Sequence, residues 1–208
     1  MTQYGFYFDS TRCTGCKTCE LVCKDYYDLG TDILFRRIYD YEGGAWTKNA
    51  DGTWNTAAYN YHISVSCNHC DNPACVSNCP TGAMQKDPET GLVNSDPEIC
   101  IGCSTCVHAC PYDAPRIDAE LRVSRKCDGC LARVRQGLEP MCVGACPLRA
   151  LEFGDITELR AAHGDCAQIV PLPAPTTGPN LVIRPCYAIT SGGYDLSAGY
   201  VANPKEVE

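Results

Sequence analysis

The chain has 208 residues, enough for one large domain or two small ones, and 18 of them are cysteine, a density typical of disulfide scaffolds and metal proteins. A net charge of −8 argues against nucleic-acid binding, and the absence of any run of about 18 apolar residues argues against a membrane span. The opening segment "MTQYGFYFDSTRC" lacks the regions of a signal peptide, which predicts folding in a reducing compartment and favours bound metal over disulfides.

The first predicted elements surround a group of four cysteines. The segment "YGFYFD" predicts a strand. Four cysteines with the spacing C-x2-C-x2-C-x3-C follow it, namely Cys13, Cys16, Cys19 and Cys23. Residues 33–66 alternate apolar and polar side chains, with turn signals at Gly43-Gly44 and Asp51-Gly52, which predicts antiparallel strands. Their aromatic residues are also compatible with base stacking, but the acidic charge and the lack of a basic groove favour a sheet that packs its own side chains.

Three further cysteine quartets follow along the chain. They are Cys67, Cys70, Cys75 and Cys79, then Cys100, Cys103, Cys106 and Cys110, then Cys127, Cys130, Cys142 and Cys146. The third quartet of the chain, "CIGCSTCVHACP", has the run typical of bacterial two-cluster ferredoxins. The second quartet widens the middle gap to four residues, and the fourth widens it to eleven. Between the second and third quartets, "AMQKD" and "LVNSD" predict a hairpin that turns at "PETG".

The repeated spacing indicates iron–sulfur clusters. A 4Fe-4S cube takes one thiolate per iron, and three closely spaced cysteines on one loop can hold three of its irons. The fourth cysteine is predicted to lie on the first turn of a helix and to ligate the other cluster of a pair, and the Cys-Pro that ends three quartets stops that helix. Structural zinc prefers two C-x2-C pairs, and disulfides are disfavoured in a reducing compartment, so both alternatives fit less well.

Exchange of the fourth cysteines predicts four ligand sets, one for each of four 4Fe-4S clusters. Set A is Cys13, Cys16, Cys19 and Cys146, and set B is Cys127, Cys130, Cys142 and Cys23. Set C is Cys100, Cys103, Cys106 and Cys79, and set D is Cys67, Cys70, Cys75 and Cys110. The sixteen cysteines are thus the predicted metal ligands, through iron.

This pairing predicts an α+β fold with two ferredoxin-like two-cluster modules related by pseudo-two-fold symmetry. One module comprises residues 1–32 and 119–154, and "YGFYFD" pairs with "ALEFGD" to close it. The other module, residues 62–118, is inserted in the first. Residues 33–61 are predicted as an antiparallel hairpin insertion, and residues 155–208 as a helix plus an extended tail.

The C-terminal segment is predicted to begin with the helix "DITELRAAHG", with Asp155 or Thr157 as its N-cap, and to contain "LVIRP" as a brief strand. This Pro- and Gly-rich tail cannot fold alone, so it wraps the domain or reaches another subunit. Cys166 and Cys186 lie there without nearby partners and are interpreted as buried or idle thiols, with a disulfide or a fifth metal site as the alternatives. Residues 131–141, inside the fourth quartet, predict a helical excursion over set B that excludes water, contacts a neighbour, or both.

Four clusters in one small chain are typical of an electron relay. Positive side chains beside ligands could raise cluster potentials, although ordinary surface charge explains each of them at least as well; they are Arg12, Lys17, Lys24, Arg125 and Lys126. Four histidines are interpreted as hydrogen-bonding or packing residues, because cysteines already fill the ligand positions; they are His62, His69, His108 and His163. No catalytic motif is present, so we expect no catalysis from the chain itself.

Several short sequence motifs resemble those of one family of electron-transfer subunits. The four-quartet order, together with "RCTGCKTCE", "SCNHCDNPAC", "KCDGC", "CPLRALEFG" and the ending "ANPKEV", resembles the iron–sulfur (beta) subunits of the dimethyl sulfoxide reductase family of bacterial molybdoenzymes. The likeness covers nearly the whole chain. The quartets alone mark a broader group, which includes the corresponding subunits of nitrate, polysulfide and tetrathionate reductases and formate dehydrogenase.

The resemblance implies a place in anaerobic respiration. The expected partners are a molybdopterin catalytic subunit, which reduces dimethyl sulfoxide or a similar acceptor, and an integral membrane anchor subunit that oxidises quinol. Set A is expected nearest the catalytic subunit, with set B next, and sets C and D toward the membrane. The chain is expected to lie peripherally on the extracytoplasmic face of the cytoplasmic membrane after co-export with the catalytic subunit, or alternatively on the cytoplasmic face. Alternative functions are a relay in a related molybdenum or tungsten oxidoreductase and a free ferredoxin-like carrier.

Overall fold

Short strands and helices connect long loops in the computed structural model, which describes residues 2–207. The strands within those residues are β1 (Tyr4–Asp9), β2 (Arg37–Gly43), β3 (Trp46–Lys48), β4 (Trp54–Thr56), β5 (Tyr59–Val65), β6 (Met84–Lys86), β7 (Val93–Ser95), β8 (Arg116–Ile117), β9 (Ser124–Arg125), β10 (Leu151–Asp155), β11 (Leu181–Arg184) and β12 (Tyr200–Val201). The helices are α1 (Thr18–Tyr27), α2 (Ala74–Ser77), α3 (Thr105–Ala109), α4 (Leu131–Val134), α5 (Met141–Gly144), α6 (Ile156–His163), α7 (Tyr187–Thr190) and α8 (Pro204–Val207). None of these helices has the length and apolar character needed to cross a membrane.

The first strand is the centre of a three-stranded sheet. β1 pairs antiparallel with β10, which confirms the predicted pairing of "YGFYFD" with "ALEFGD", and it pairs in parallel with β11. One face of β1 places Phe6 and Phe8 in the largest apolar core, and the other packs Tyr7 against Ile156 and Leu159 of α6. Because both faces are covered, the strand has a nearly continuous apolar sequence.

The prediction for the C-terminal helix is confirmed at its first turn. α6 begins directly after β10, and the Oδ1 atom of Asp155 accepts a hydrogen bond from the Thr157 backbone N–H at 2.8 Å. Asp155 is therefore the N-cap, and Thr157 lies inside the helix. The predicted strand "LVIRP" corresponds to β11.

A second sheet contains the aromatic residues of the predicted hairpins. β2 pairs antiparallel with β5 over seven residues, and β3 and β4 form a separate hairpin beyond Gly43, as the alternating pattern predicted. Tyr41, Tyr59 and Tyr61 are buried against one another. Trp46 and Trp54 of the outer hairpin are exposed.

The cluster loops lead into helices at the third cysteine of each quartet. The second residues of α1, α2, α3 and α5 are Cys19, Cys75, Cys106 and Cys142. The fourth cysteines of the last three quartets follow the ends of α2, α3 and α5, so the prediction that the fourth cysteine occupies the first helical turn is wrong. A proline follows each of those three cysteines and disfavours helical geometry before it, whereas Cys23, followed by Lys24, remains inside α1.

The insertion in the fourth quartet contains one short helix, α4, followed by a turn. Arg135 forms an ion pair with Asp87 at 2.7 Å, at the turn between β6 and β7. The guanidinium of Arg133 lies 6.0 Å from the ring centroid of Tyr26 on α1. The insertion therefore contacts two other parts of the same chain.

The predicted hairpin of "AMQKD" and "LVNSD" is confirmed as β6 and β7.

The tail wraps the domain, one of the two arrangements expected for it. β11 adds to β1, and β12 adds to the edge of β2 opposite β5. Asn203 then fixes the end of the tail, because its Oδ1 accepts from the Asp40 N–H at 2.9 Å and its Nδ2 donates to the Ile38 carbonyl at 2.8 Å.

We expect Asn203→Ala to lower the free energy of unfolding by about 1–3 kcal/mol, because it removes both hydrogen bonds to the β2 backbone. Urea unfolding of the purified protein measures the change. Asn60→Ala is the matched control, since the exposed Asn60 amide makes one contact with Glu42, at 3.5 Å. Equal unfolding midpoints for the two variants would contradict a structural role of Asn203.

Candidate iron–sulfur centres

Three cavities are each lined by four cysteines from two different quartets. The first contains Cys13, Cys16, Cys19 and Cys146, the members of set A. The second contains Cys67, Cys70, Cys75 and Cys110, the members of set D. The third contains Cys79, Cys100, Cys103 and Cys106, the members of set C. Their volumes are about 350, 360 and 310 Å³, so the three cavities are similar in size.

The set B cysteines also lie together. The Cys23 thiol on α1 faces the other three members, Cys127, Cys142 and Cys130, and burial followed by repulsion from those thiols raises the pKa of Cys23. Within residues 2–207, no three Cys, His, Asp or Glu side chains converge in the way that ligands of a single metal ion do. Cys166 and Cys186 are partly buried beside the largest apolar core and line none of the three cavities.

A repeated backbone conformation builds the four loops. The residue before the second cysteine of each quartet is left-handed: φ is 66° at Gly15, 44° at His69, 66° at Gly102 and 73° at Gly129. This bend lets the loop curl and directs successive cysteines toward one centre. A β-carbon on Gly102 would lie 2.4 Å from the Arg122 carbonyl oxygen, so that position requires glycine. Three loops use glycine here, and the second uses histidine.

Backbone amides point at sulfur atoms in sets A, B and C. The N–H groups of Ala150, Gly129, Ser124 and Met84 donate to the Sγ atoms of Cys146, Cys127, Cys100 and Cys79, at 3.3–3.4 Å. Such N–H···S hydrogen bonds stabilise negative charge on the sulfur and are one of the factors that set cluster potentials. At least one sulfur in sets A, B and C therefore lies where a backbone amide already favours the thiolate.

Half of the sixteen quartet thiols resist ionisation on their own, because burial raises their pKa values. Burial, with repulsion from neighbouring thiols, raises the pKa of Cys13 to about 11 and the pKa of Cys75 to about 12. Cys16 and Cys103 are exposed, and hydrogen bonds from Thr18 and Thr105 lower their pKa values. A buried thiol becomes a thiolate at neutral pH when metal replaces its proton, so the donor sets fit bound iron.

Two buried cations provide a further test of that fit. Arg36 is 1% exposed and Lys126 is 5% exposed, and neither forms an ion pair with any carboxylate in residues 2–207. Within the same residues the Nε atom of Arg36 has no hydrogen-bond partner. Leaving a buried charge unpaired costs several kcal/mol, so these cations call for a buried anion. Thiolates that ligate an iron–sulfur cluster would supply that negative charge.

The neighbours of these cations identify where the anion would lie. Arg36 is close to the thiols of Cys142 and Cys19, and its guanidinium lies 4.8 Å from the ring centroid of Phe6. Burial opposes the charge of Lys126, but the thiols of Cys67 and Cys127 outweigh burial and raise its pKa. Both cations thus face cysteines of two different sets.

The other predicted cations are largely neutralised. Arg12 pairs with Asp9 at 3.4 Å, Arg125 pairs with Asp118 at 3.1 Å, and Lys17 pairs with Glu206. Lys24 donates to backbone carbonyls beyond the end of α1. Sequence reasoning missed Arg36, because no cysteine lies within ten residues of it in the sequence.

The histidines make hydrogen bonds or packing contacts at three of four positions. His62 bonds with Asp40 at 2.7 Å, and His163 bonds with Glu152 at 3.0 Å while stacking on Tyr7. His69 is fully buried, and burial followed by nearby Lys126 holds its pKa well below the usual value. His108 is exposed.

Comparisons with known proteins agree with this chemistry. A 4Fe-4S dicluster domain matches residues 58–156, and a 4Fe-4S binding domain matches residues 10–28. The B subunit of the anaerobic dimethyl sulfoxide reductase of Haemophilus influenzae is 58% identical over 210 residues, which cover all of both proteins. The subunit of the same name from Escherichia coli is 54% identical over 99% of each protein. The B subunit of the polysulfide reductase of Wolinella succinogenes is 37% identical, over 75% of this chain and 78% of its own length.

These matches confirm the resemblance to the dimethyl sulfoxide reductase family that the motifs around the quartets indicated. They extend through the hairpins and the tail as well as the cysteine-rich loops, because the two dimethyl sulfoxide reductase subunits align over essentially the whole length. The protein therefore belongs to the family of iron–sulfur electron-transfer subunits that includes the B subunits of anaerobic dimethyl sulfoxide reductases.

Proposed function

We propose that the chain holds four 4Fe-4S clusters, one in each of sets A to D, and conducts electrons along them in the order A–B–D–C. One observation carries this order. Three groups of packed apolar side chains each contain cysteines from two sets that are consecutive in this order. Cys19 and Cys146 of set A share one with Cys142 of set B.

The next two groups continue the series. Cys23 and Cys127 of set B share the second with Cys67 and Cys110 of set D. Cys75 of set D shares the third with Cys106 and Cys79 of set C. These contacts support a continuous packed path from A to C, and close-packed protein suits electron tunnelling between fixed centres.

The two ends of the path are the exposed ones. Cys16 of set A and Cys103 of set C are the two exposed cysteines, and each hydrogen-bonds a threonine two residues on, at 3.4 and 3.3 Å. Sets B and D lie between them, with every cysteine buried or half-buried. Electrons would therefore enter at one exposed set and leave at the other.

A pseudo-two-fold relation between the modules is part of this proposal. Exchange of A with C and of B with D turns the series A–B–D–C into C–D–B–A, which is the same path in the opposite direction. The matching left-handed residues before α1 and α3, Lys17 at φ 60° and Ser104 at φ 63°, support that exchange. So does the pairing of β1 with β10, which brings residues before the first quartet against residues after the fourth. The module limits of 1–32 with 119–154, and 62–118, follow from it.

The chain's own residues position and insulate the clusters. Bound 4Fe-4S clusters accept and donate single electrons at potentials that the surrounding protein sets. The sixteen thiolates would hold the irons, the amide donors would offset negative charge on sulfur, and Arg36 and Lys126 would neutralise it from inside. In this proposal the chain relays electrons and leaves substrate chemistry to another subunit.

The proposal for the partner subunits rests on the relatives, which are B subunits of reductases. We infer that the chain passes electrons to a molybdopterin catalytic subunit that reduces dimethyl sulfoxide or a similar acceptor, and receives them from a quinol-oxidising membrane anchor. Identity of 58% over the whole length favours dimethyl sulfoxide over polysulfide, because the polysulfide reductase subunit is 37% identical. Peripheral binding at the extracytoplasmic face of the membrane completes the proposal.

Anaerobic purification of the tagged chain from its host tests the function. We expect about sixteen irons and sixteen sulfides per chain, rhombic EPR signals after dithionite, and co-purification of a molybdenum-containing subunit. The purified complex should oxidise a reduced quinol analogue with dimethyl sulfoxide, and more slowly with polysulfide. A stable lone chain with reducible clusters would instead support a free carrier, and zinc without iron would overturn both.

A further inference from the structure

Where the loops of sets B and D meet, one side chain from each loop contacts a cysteine of the other set. Lys126, directly before Cys127 of set B, extends its Nζ to the Sγ of Cys67 in set D, at 3.4 Å. His69, in the loop of set D, places its Nε2 atom 3.9 Å from the Sγ of Cys127 in set B. Each loop therefore contributes a hydrogen-bond donor to a sulfur of the other set.

The backbone of Val93 fixes both donors. Its N–H donates to the Nδ1 atom of His69 at 2.9 Å, so the ring proton lies on Nε2 and points toward Cys127. Its carbonyl accepts from Lys126 Nζ, which also donates to the Cys127 carbonyl at 2.7 Å. One residue of β7 thus sets the tautomer of the histidine and the position of the ammonium group.

Neither donor is explained by folding alone. Lys126 is buried with no carboxylate in residues 2–207 to pair with it, an arrangement that costs free energy unless an anion lies nearby. His69 occupies a left-handed position, φ 44°, where the other three loops have glycine. A non-glycine residue is strained in that region, so folding alone would favour glycine at this position.

We propose that Lys126 and His69 form a hydrogen-bonding junction that raises the reduction potentials of the two central centres, those of sets B and D. This inference rests on the proposed function. The ammonium of Lys126 stabilises added negative charge on both centres, and more on set D, whose sulfur it contacts. His69 stabilises charge on set B alone. A single electron crosses the junction in each event, and no proton or group moves with it.

Redox titration followed by EPR, on the full chain with the subunits that co-purify, tests the junction. Lys126→Met and Lys126→Gln should each shift two of the four titration steps to lower potential. At fixed potential the reduced-to-oxidised ratio of the more affected step should fall at least tenfold, or about 59 mV for a one-electron couple. Lys126→Arg keeps the charge and should remain within about threefold of wild type at every step.

His69 is tested separately. His69→Asn keeps a residue that tolerates the left-handed region but is too short to reach Cys127, so it should lower one step and leave three unchanged. Arg125→Met is the matched control, since it removes the neighbouring charge, whose guanidinium bonds Asp118 and the Tyr27 carbonyl rather than a sulfur, and it should leave every step within about threefold of wild type.

Three outcomes overturn the junction. They are unchanged steps in both neutral Lys126 variants, equal shifts of all four steps, or loss of iron from both neutral variants while Lys126→Arg stays loaded, which would assign Lys126 to assembly. A wild-type chain without four titration steps would instead overturn the proposed function. The two failures are therefore distinguishable.

Discussion

Removal of iron is expected to unfold residues 66–127 while part of the first two sheets persists. The elements in that segment are α2 and α3, of four and five residues, and two hairpins with strands of two or three residues. Isolated helices shorter than about 12 residues and lone two-stranded hairpins are marginal in water. Without bound metal, little in the segment holds these pieces together.

The apolar contacts of the segment depend on the same thiols. Its local apolar cluster has four buried members, and two of them are Cys75 and Cys106, beside Met84 and Val93. In contrast, the sheets around β1 and β2 share a larger core that includes Phe8, Ile38 and Ile63. We therefore expect the free energy of local opening in residues 66–127 to fall close to zero without iron, and to remain positive in β1, β2 and β5.

Hydrogen exchange measured by mass spectrometry, before and after anaerobic treatment with an iron chelator, separates the two regions. Restoring iron and sulfide should restore protection, which serves as the control for irreversible damage. Retained protection across residues 66–127 in the iron-free chain would contradict a structural contribution from the clusters.

Two double variants are expected to lose different amounts of iron, although each removes two cysteines. Cys23→Ala with Cys130→Ala combines different quartets but one spatial set, so about four of sixteen irons should be lost. Cys19→Ala with Cys23→Ala combines neighbours of one quartet that belong to sets A and B, so about eight should be lost. The reason is geometric, because Cys19 lines the set A cavity and Cys23 faces Cys127 and Cys142.

Iron and sulfide analysis with EPR spin counting measures the losses. Cys166→Ala with Cys186→Ala is the matched control and should retain all of the iron, because neither thiol belongs to a set. Electron transfer through the complex should stop in both ligand variants, since set B is internal to the relay. If the Cys19 and Cys23 pair lost about four irons instead, each quartet would hold its own cluster and the exchange would be wrong.

The sequence could predict the elements whose cause is local. The cysteine spacing defines the loops, and alternating aromatic residues with glycine turns define β2 to β5. The exchange between quartets stays a prediction from the two-cluster run, whereas the predicted place of the fourth cysteine is wrong. That error arose because the helix of each quartet begins at the third cysteine and not at the fourth. In three quartets the Cys-Pro bond then keeps the fourth cysteine outside the helix.

The features that required the structure are those made by distant residues. Arg36 reaches the thiols of sets A and B from the loop before β2, and nothing in its neighbourhood in the sequence indicates a ligand site. His69 could be noticed as a histidine within a cluster loop, but its contact with Cys127 spans 58 positions of the sequence. Such contacts depend on tertiary packing, which a local pattern does not encode.

The parallel addition of β11 to β1 has a consequence for synthesis on the ribosome. β1 is made first, yet its sheet is completed only when residues 181–184 have emerged. Until then a nascent chain displays an open strand edge next to the first cysteine loop, where non-native strand pairing can occur. A chain that ends before residue 181 therefore leaves its first strand with an unpaired edge, although that strand is synthesised first.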